Sequence, residues 1–471
     1  MRQAAFSFLT LPFALTLAAA CACGCSGGDA SAGTGTPTVA WERSFGGSGD
    51  EEIYAVAAVA DGGAVMAGYS ESSDGDLPGA RTGEDAWIVK LGPTGDPQWQ
   101  TLLGGSGDDV AMSVSPTPDG GFAVAGFTWS EDGHFPAPES ARPRKPMPPS
   151  HSVEIGSPPR GRQGPRRGWV GKLDANGRLL WTRVYGMDGF FGITSIAPMS
   201  VGGFIAAGDI VSLDPACRSD RDVKDAPEGA PKPYSFDIWV LRLSPDGDVL
   251  WQRCLGGPLN DLPIGAIETP DGGAVVAATA WSRGREPGQP PAPGEGSWAA
   301  GFSPRGDTLW RKGYSDSGAE RAFSLRAAPG GGFLMAGMRG PVGPGTETSR
   351  VNSAVKAGLG GEVDWTATPG GRGRLIDVVP VAGGYLAVLV PYAVDESQGW
   401  GREKLHDIVL ARLGPDGAEE WRKGFGDAEG RPAAAVAVSA DGGLVAVGAI
   451  RKPSGPGEKG DMDAWAMKLS P

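Results

Sequence analysis

Apolar and polar positions alternate along the chain in short runs that are bounded by Gly, Pro and Asp. Such alternation predicts β-strands joined by tight turns. Four runs recur in a fixed order, and an early copy reads YAVAAVADGG (54–63), AVMAG (64–68), DAWIVKL (85–91) and a short run that ends on Trp. This unit predicts one four-stranded antiparallel blade.

Seven Trp residues mark the fourth run, and consecutive ones lie 55 to 82 residues apart. They are Trp41, Trp99, Trp181, Trp251, Trp310, Trp365 and Trp421. The 78 Gly residues recur mostly at fixed places in the unit, which indicates turns and not disorder. Since a single blade cannot bury both of its faces, seven copies predict a ring of stacked blades.

The last copy of the unit stops at DAWAMKLSP (463–471) without its Trp run, whereas TVAW (38–41) is an isolated copy of that run. Pairing of these segments closes the ring and removes two open sheet edges. We therefore predict an all-β fold, a seven-bladed β-propeller over residues 38–471, in which residues 38–41 complete the last blade.

The hairpins KLDANGRLLW (172–181) and RLSPDGDVLW (242–251) resemble the Trp-docking repeat of quinoprotein-type propellers. The whole unit resembles the FGGSGDD…DGG…VAG…DxWxVKL…GxxxW repeat of bacterial surface and secreted proteins. The resemblance covers residues 38–471 and implies a propeller, but it says almost nothing about function. The fifth copy departs from it at Ser353 and Ala357, where we expect the weakest packing.

The N-terminal segment MRQAAFSFLTLPFALTLAAAC has one basic residue, a short apolar run and small residues before Cys21. It predicts a signal peptide over residues 1–20, and it resembles the bacterial lipoprotein signal, which implies a lipidated Cys21. Cys23 and Cys25 are alternative acceptors, and an ordinary cleaved signal is the other interpretation. No acidic residue directly follows Cys21, which in that family implies the outer membrane. Residues 21–37 then form a flexible tether.

The DGG and SPDG turns should lie at one end of the ring, with the loops of variable length and the GGSGDD-type connections at the other. The variable loops are 69–84, 127–168, 209–236, 280–296, 338–352, 391–406 and 449–462. Because function often lies in loops that a rigid scaffold carries, we expect any binding site at the loop-bearing end.

The longest loop contains a Pro/Arg-rich insert over residues 134–168. Its basic residues form a candidate binding loop and are Arg142, Arg144, Lys145, Arg160, Arg162, Arg166 and Arg167. A basic patch on an acidic protein is suited to an anionic polymer or to lipid headgroups. The alternative interpretation is a solvated loop without a ligand.

The formal net charge of −13 argues against general nucleic-acid binding. His134, His151 and His406 lack the spacing of metal ligands, and we expect neither a metal nor a cofactor. The carboxylates of GGSGDE (46–51) and GGSGDD (104–109) are expected to cap their own turns, with calcium binding as the alternative. Cys217 and Cys254 are candidates for a disulfide in an exported protein, with two buried thiols as the alternative.

These observations predict a monomeric, lipid-anchored propeller at the outer membrane or cell surface. We expect a non-enzymatic binding or assembly scaffold whose loop-rich face contacts an unknown protein or an anionic polymer. The alternative is a glycan-acting hydrolase or lyase with carboxylates at the central channel.

Overall fold

The structure is a computed structural model, and every regular element that it describes is a β-strand. The described residues are 37–77, 83–136, 166–186, 191–211, 236–256, 260–281, 296–314, 320–340, 351–370, 374–390, 392–393, 404–405, 408–425, 433–452 and 461–470. Within these ranges no helix is long and apolar enough to cross a membrane. The predicted signal peptide and Cys21 lie outside them, as does all of the predicted tether except residue 37.

The strands form seven four-stranded antiparallel sheets, which are the seven predicted blades. One strand precedes the first blade: β1 (Val39–Phe45). Blade 1 contains β2 (Glu51–Ala58), β3 (Ala64–Ser70), β4 (Asp85–Leu91) and β5 (Pro97–Leu103). Blade 2 contains β6 (Asp109–Pro116), β7 (Phe122–Thr128), β8 (Arg167–Leu173) and β9 (Leu179–Tyr185). Blade 3 contains β10 (Phe191–Pro198), β11 (Phe204–Val211), β12 (Phe236–Leu243) and β13 (Val249–Leu255).

The same order of strands continues through the second half of the ring. Blade 4 contains β14 (Asn260–Glu268), β15 (Ala274–Trp281), β16 (Gly296–Phe302) and β17 (Thr308–Gly313). Blade 5 contains β18 (Glu320–Ala327), β19 (Phe333–Arg339), β20 (Val351–Ala357) and β21 (Val363–Ala367). Blade 6 contains β22 (Arg374–Val381), β23 (Gly384–Val390), the small pair β24 (Tyr392–Ala393) and β25 (Lys404–Leu405), β26 (Ile408–Leu413) and β27 (Glu419–Phe425). Blade 7 contains β28 (Ala433–Val438), β29 (Leu444–Arg451), β30 (Met462–Leu469) and β1.

The N-terminal strand completes the last blade, as predicted. β1 runs antiparallel to β30, with Ser44 opposite Trp465 and Trp41 opposite Lys468. In the other blades a tight turn joins the third strand to the fourth. In blade 7 these two strands come from opposite ends of the sequence, and hydrogen bonds hold them together at this point: the Ser470 N–H donates to the Thr38 carbonyl oxygen at 2.8 Å. The seven-bladed ring and its closure are therefore confirmed.

The outer strands extend further than the sequence analysis indicated. We expected them to end on Trp, and β1 to end at Trp41, but β1 continues to Phe45 and β5 continues from Trp99 to Leu103. The reason is the antiparallel partner: β30 and β4 offer backbone groups along their whole length, and the outer strand pairs with all of them.

The apolar core lies between the blades. Seven clusters of buried side chains alternate with the seven blades, and the first strands of neighbouring blades contact one another around the ring. The first strand of each blade is therefore innermost, and the Trp strand is outermost. Burial between blades, and not within them, stabilises the ring.

Each Trp of the outer strands packs at the junction with the following blade. The Trp41 indole Nε1 donates a 2.8 Å hydrogen bond to the carbonyl oxygen of Pro93, in the turn between β4 and β5. Equivalent bonds run from Trp99 to Ala175, Trp251 to Pro304, Trp310 to Leu359 and Trp365 to Pro415. Trp181 packs on the turn glycine Gly247. Trp421 packs between blades 6 and 7, where the chain ends replace the turn.

A basic residue in the third strand holds the first turn of several blades. Lys172 Nζ lies 3.0 Å from the Asp119 carboxylate, and Lys468 Nζ lies 2.6 Å from that of Asp441. The Lys90 ammonium pairs with Asp61 in the same way. These repeated contacts have a structural role, because they fix the DGG turns.

Blade 5 departs from the repeat where the sequence does. Ser353 lies opposite Gly337, a register position at which Trp87 lies opposite Gly68 in blade 1. Ser353 and Ser297 line a space between blades 4 and 5 that is too small to hold a water molecule. The cluster between these blades has eight buried residues, the fewest of the seven. Ser353 and Ala357 are themselves buried, and so the expectation of the weakest packing in blade 5 stays a prediction.

Candidate functional site on the loop face

The two ends of the ring differ in construction. One end of the ring, called here the turn face, carries the turns between first and second strands and between third and fourth strands. Backbone hydrogen bonds close these turns; for example, the Gly62 N–H donates to the Val59 carbonyl oxygen at 3.0 Å. The longer loops and the connections between blades lie at the other end, called here the loop face. The candidate functional site is therefore on the loop face.

In blade 1 the GGSGDE segment is clasped to the loop that follows β3. The Ser48 N–H donates to Asp74 Oδ1 at 2.7 Å, and the Gly49 N–H donates to Ser72 Oγ at 2.8 Å. The Gly47 N–H donates to Glu51 Oε2 at 3.0 Å. Glu51 caps its own turn, as we expected for the carboxylates of this segment, whereas Ser72 and Asp74 bind the segment from the following loop. The Asp50 carboxylate instead accepts the Met462 N–H of β30 at 2.7 Å.

Blade 2 repeats this clasp with equivalent residues. The Ser106 N–H donates to Asp132 Oδ1 at 2.7 Å, and the Gly107 N–H donates to Ser130 Oγ at 2.8 Å. The Gly105 N–H donates to the buried Asp109 at 2.9 Å. Loop segments that are anchored by such bonds are pre-organised for binding.

The second half of the clasp was not predicted from the sequence. The segments SSDG (72–75) and SEDG (130–133) lie 58 residues apart, the same spacing as Trp41 and Trp99. We had assigned both segments to loops of variable length. Their repetition at the blade spacing was the signal that would have identified them.

Five carboxylates border the clasps and form what we call the acidic rim: Asp50, Glu52, Glu71, Glu84 and Asp108. Burial raises the pKa of Glu84 to about 8, and the charges of Asp108 and Glu71 add to the rise. Burial and the charge of Asp50 also raise the pKa of Glu71. The rim therefore places five carboxyl groups close together over blades 1 and 2, and at pH 7 the Glu84 carboxyl is mostly protonated.

Two tyrosines extend the rim toward the ring axis. The Tyr54 hydroxyl donates a 2.7 Å hydrogen bond to Glu52 Oε2, and its ring centroid lies 6.1 Å from that of Tyr69. Burial raises the pKa of both hydroxyls, with the negative charge of Glu52 as a further cause. Tyr54 is the extra residue of a β-bulge in β2, and such bulges re-aim a side chain.

A bulge occurs at the same level of every innermost strand. The bulged residues are Tyr54, Met112, Thr194, Ile264, Phe323, Ile376 and Ala434. The residue after the bulge joins blades in three cases. Ser113 Oγ accepts the Ile196 N–H and Ser195 Oγ accepts the Ala266 N–H, both at 3.1 Å, and Asp377 pairs with Arg326. Sequence periodicity gave no sign of these bulges.

An ion pair links three blades near the ring axis. Arg326 of blade 5 contacts the Asp377 carboxylate of blade 6 at 2.7 Å, and it donates to the Val436 carbonyl oxygen of blade 7 at 2.8 Å. Asp377 is buried, and its negative charge raises the pKa of Arg326. This carboxylate is therefore neutralised within the scaffold.

Other acidic residues of the innermost strands also have partners. Asp261 accepts the Trp298 indole N–H at 2.8 Å, and Glu268 accepts the Ser200 backbone N–H at 2.8 Å. Among the described residues, no group of three or more His, Cys, Asp or Glu is arranged to hold a metal ion. His134 contacts Gly104 through Nδ1, whereas His151 and His406 lie outside the described residues.

The structure describes only the end of the predicted basic binding loop. Arg166 pairs with Asp209 of blade 3 and lies over the Phe127 ring. Arg167 is buried in β8 and donates to the Ser130 carbonyl oxygen. These two side chains support the clasp and the junction of blades 2 and 3, and they do not form an exposed patch. The remaining basic residues of the loop, Arg142, Arg144, Lys145, Arg160 and Arg162, lie outside the described residues.

Cys254 lies in β13 opposite Trp239, and its sulfur is disulfide-bonded. Its predicted partner, Cys217, lies outside the described residues, and so the pairing stays a prediction.

No family model matches the chain, and no curated protein sequence matches it. The chain is similar in structure to Sqt1 from Chaetomium thermophilum, with 11% identity, a TM-score of 0.43, and 90% of this chain and 87% of that chain covered. It is also similar to puromycin hydrolase, with 15% identity, a TM-score of 0.47, and 85% and 50% covered, so that it spans half of that protein. Glucose dehydrogenase shows 13% identity, a TM-score of 0.34, and 93% and 100% covered. Identities this low carry no information on activity.

Proposed function

We propose that the protein is an exported, lipid-anchored scaffold of the bacterial envelope that binds a partner through its loop face without catalysis. The observation that carries this proposal is the pair of clasps in blades 1 and 2, which hold Asp74 and Asp132 in matching positions beside the acidic rim. The opposite face has only short, uniform turns. A fixed, elaborated surface on a rigid ring is suited to recognition.

The charge of this surface favours a basic partner. The acidic rim attracts cationic groups and repels anionic polymers. Binding of an anionic polymer depends on the basic loop of blade 2, most of which lies outside the described residues. A basic protein segment is therefore the partner that the described surface supports best.

Site-specific photo-cross-linking in the native envelope tests this proposal. A photoreactive residue is placed at Ser73, which is exposed on the loop face, or at Pro118, which is exposed on the turn face. We expect a cross-linked partner from Ser73 that is lost in the E71K variant and kept in the E362K variant, which reverses the charge of an exposed glutamate elsewhere. Cross-links from Pro118 alone would contradict the proposal.

Lipid attachment is tested separately by metabolic labelling with a fatty-acid analogue. Incorporation that is lost in the C21S variant supports the anchor at Cys21. If incorporation persists in C21S but is lost in C23S or C25S, the lipid is attached to Cys23 or Cys25 instead. If no fatty acid is incorporated at all, the proposal of a lipid anchor is wrong.

A second candidate function is a glycan-acting hydrolase or lyase. It is favoured by Glu84, because a carboxyl group with a pKa of about 8 can act as a general acid at neutral pH. Purified protein is incubated with envelope glycans, and chain cleavage that is lost in E84Q would support this function over the scaffold.

A further inference from the structure

The predicted tether joins the ring at the edge of the turn face. β1 starts beside the end of β30, at the corner where the Thr38 N–H donates to Ser470 Oγ at 3.1 Å. The Lys423 ammonium donates to the Pro37 carbonyl oxygen at 2.9 Å and holds the same corner against blade 6. The described part of the chain therefore begins at the turn face.

The outer edge of blades 2, 3 and 4 has exposed leucines near that same face. Leu180, Leu250 and Leu309 directly precede the docked Trp of β9, β13 and β17 and are 55%, 60% and 60% exposed. The equivalent positions of the other blades are Ala40, Gln98, Asp364 and Glu420. Since outer strands begin at the turn face, the three leucines form an apolar band along one side of that face.

The strands that carry this band are basic, although the protein is acidic overall. β9, β13 and β17 contain four basic residues and no acidic residue: Arg183, Arg253, Arg311 and Lys312. Arg183 and Arg253 lie over the docked Trp rings of their own strands, and Arg311 also pairs with the buried Asp261 at 3.8 Å. Acidic residues near the band lie in the preceding turns, such as Asp246 and Asp307. Exposed leucine beside Arg and Lys is the combination that binds the interface of an anionic bilayer.

We propose that Leu180, Leu250 and Leu309, with the basic residues of their strands, form a membrane-contact band for anionic phospholipid. The proposal deepens the proposed function, on which it rests for the lipid anchor. Contact along this band holds the turn face near the bilayer and directs the loop face and its acidic rim away from it. The anchor and the band then act together, because each raises the local concentration of the other at the membrane.

Vesicle co-sedimentation of residues 37–471 tests the band without any acyl chain. These residues contain every described strand and form one compact unit. We expect binding to vesicles of phosphatidylethanolamine and phosphatidylglycerol that is stronger than to phosphatidylcholine vesicles and weakens with salt. The L180Q/L250Q/L309Q variant should bind at least about tenfold more weakly, because three apolar insertions are lost.

Val351 provides the control, since it is 49% exposed but starts β20 at the loop face. V351Q should bind vesicles like the unmodified protein. Absence of vesicle binding, or equal binding by the triple variant, would overturn the proposal. Cross-linking of Leu250 to an envelope protein without vesicle binding would assign the band to a protein partner instead. The protein used in this experiment has no lipid anchor. Failure of vesicle binding therefore counts against the band alone, whereas lipidation at Cys21 is tested by the labelling experiment.

Discussion

The Trp41 indole N–H donates a 2.8 Å hydrogen bond to the carbonyl oxygen of Pro93, and it thereby joins the strand that completes blade 7 to a turn of blade 1. The Trp ring also covers Gly95 in that turn, where an added Cβ would lie 2.7 Å from ring atoms. Closure of the propeller thus has two parts, strand pairing with β30 and docking on blade 1. The same docking contact recurs between other neighbouring blades.

Replacement of Gly95 by Ala should destabilise the ring through this contact. Gly95 has a φ of +85°, and Gly120 has a φ of +82° with no atom within 4 Å of an added Cβ. Both G95A and G120A place a Cβ on a residue with positive φ, which strains the backbone. Only in G95A does the added Cβ also clash with the Trp41 ring. We expect G95A to lose about 1–3 kcal/mol more unfolding free energy than G120A in urea denaturation. Equal losses would show that the docking contact is weak.

Replacement of Ser353 by a larger side chain should destabilise the protein. The space beside Ser353 is too small for a water molecule, so S353V should overpack the junction of blades 4 and 5 and lower the unfolding free energy by about 1–3 kcal/mol. S353A adds no volume and should lose less. Thermal unfolding of the three proteins measures this, and a higher midpoint for S353V than for the unmodified protein would contradict tight packing at this junction.

Stability should fall as the pH rises from about 5 to above 8. The folded pKa of Glu84, about 8, exceeds its ordinary value of 4.5. The folded state therefore favours the protonated group, and this stabilisation is complete below pH 4.5 and is lost as the pH rises through 8. E84Q mimics the neutral carboxyl, so it should raise the unfolding free energy at pH 8.5 and reduce the pH dependence. E362Q, at an exposed residue, serves as the control. An unchanged pH profile in E84Q would exclude Glu84 as the cause.

The cysteine pairing can be measured by thiol alkylation of unfolded, unreduced residues 37–471. With a Cys217–Cys254 disulfide, neither thiol is labelled, and C217S exposes Cys254 to the reagent. Loss of the bond in C217S should lower the unfolding free energy by about 2–4 kcal/mol. Labelling of both cysteines in the unmodified protein would contradict the pairing.

The sequence predicted the ring because its signals are local and repeated. The Trp residues of the outer strands, the turn glycines and the orphan TVAW segment each define a strand or turn without knowledge of its partners. The acidic rim was not predicted, because it joins Glu84 and Asp108 across a junction between blades. Likewise, Arg166 and Arg167 belong by sequence to a loop, but burial and the partners Asp209 and Ser130 place them in the scaffold.

Cross-linking of the chain ends tests ring closure most directly. Thr38 Oγ1 and Ser470 Oγ lie 2.9 Å apart, so the T38C/S470C pair should form a disulfide under mild oxidation in residues 37–471 with Cys217 and Cys254 replaced by Ser. The cross-link should raise the unfolding free energy by about 3–5 kcal/mol, because it closes a loop of almost the whole chain. The T38C/S303C pair, with Ser303 in a turn of blade 4, should remain reduced. Absence of the T38C/S470C disulfide, or equal cross-linking of both pairs, would contradict the closed seven-bladed ring.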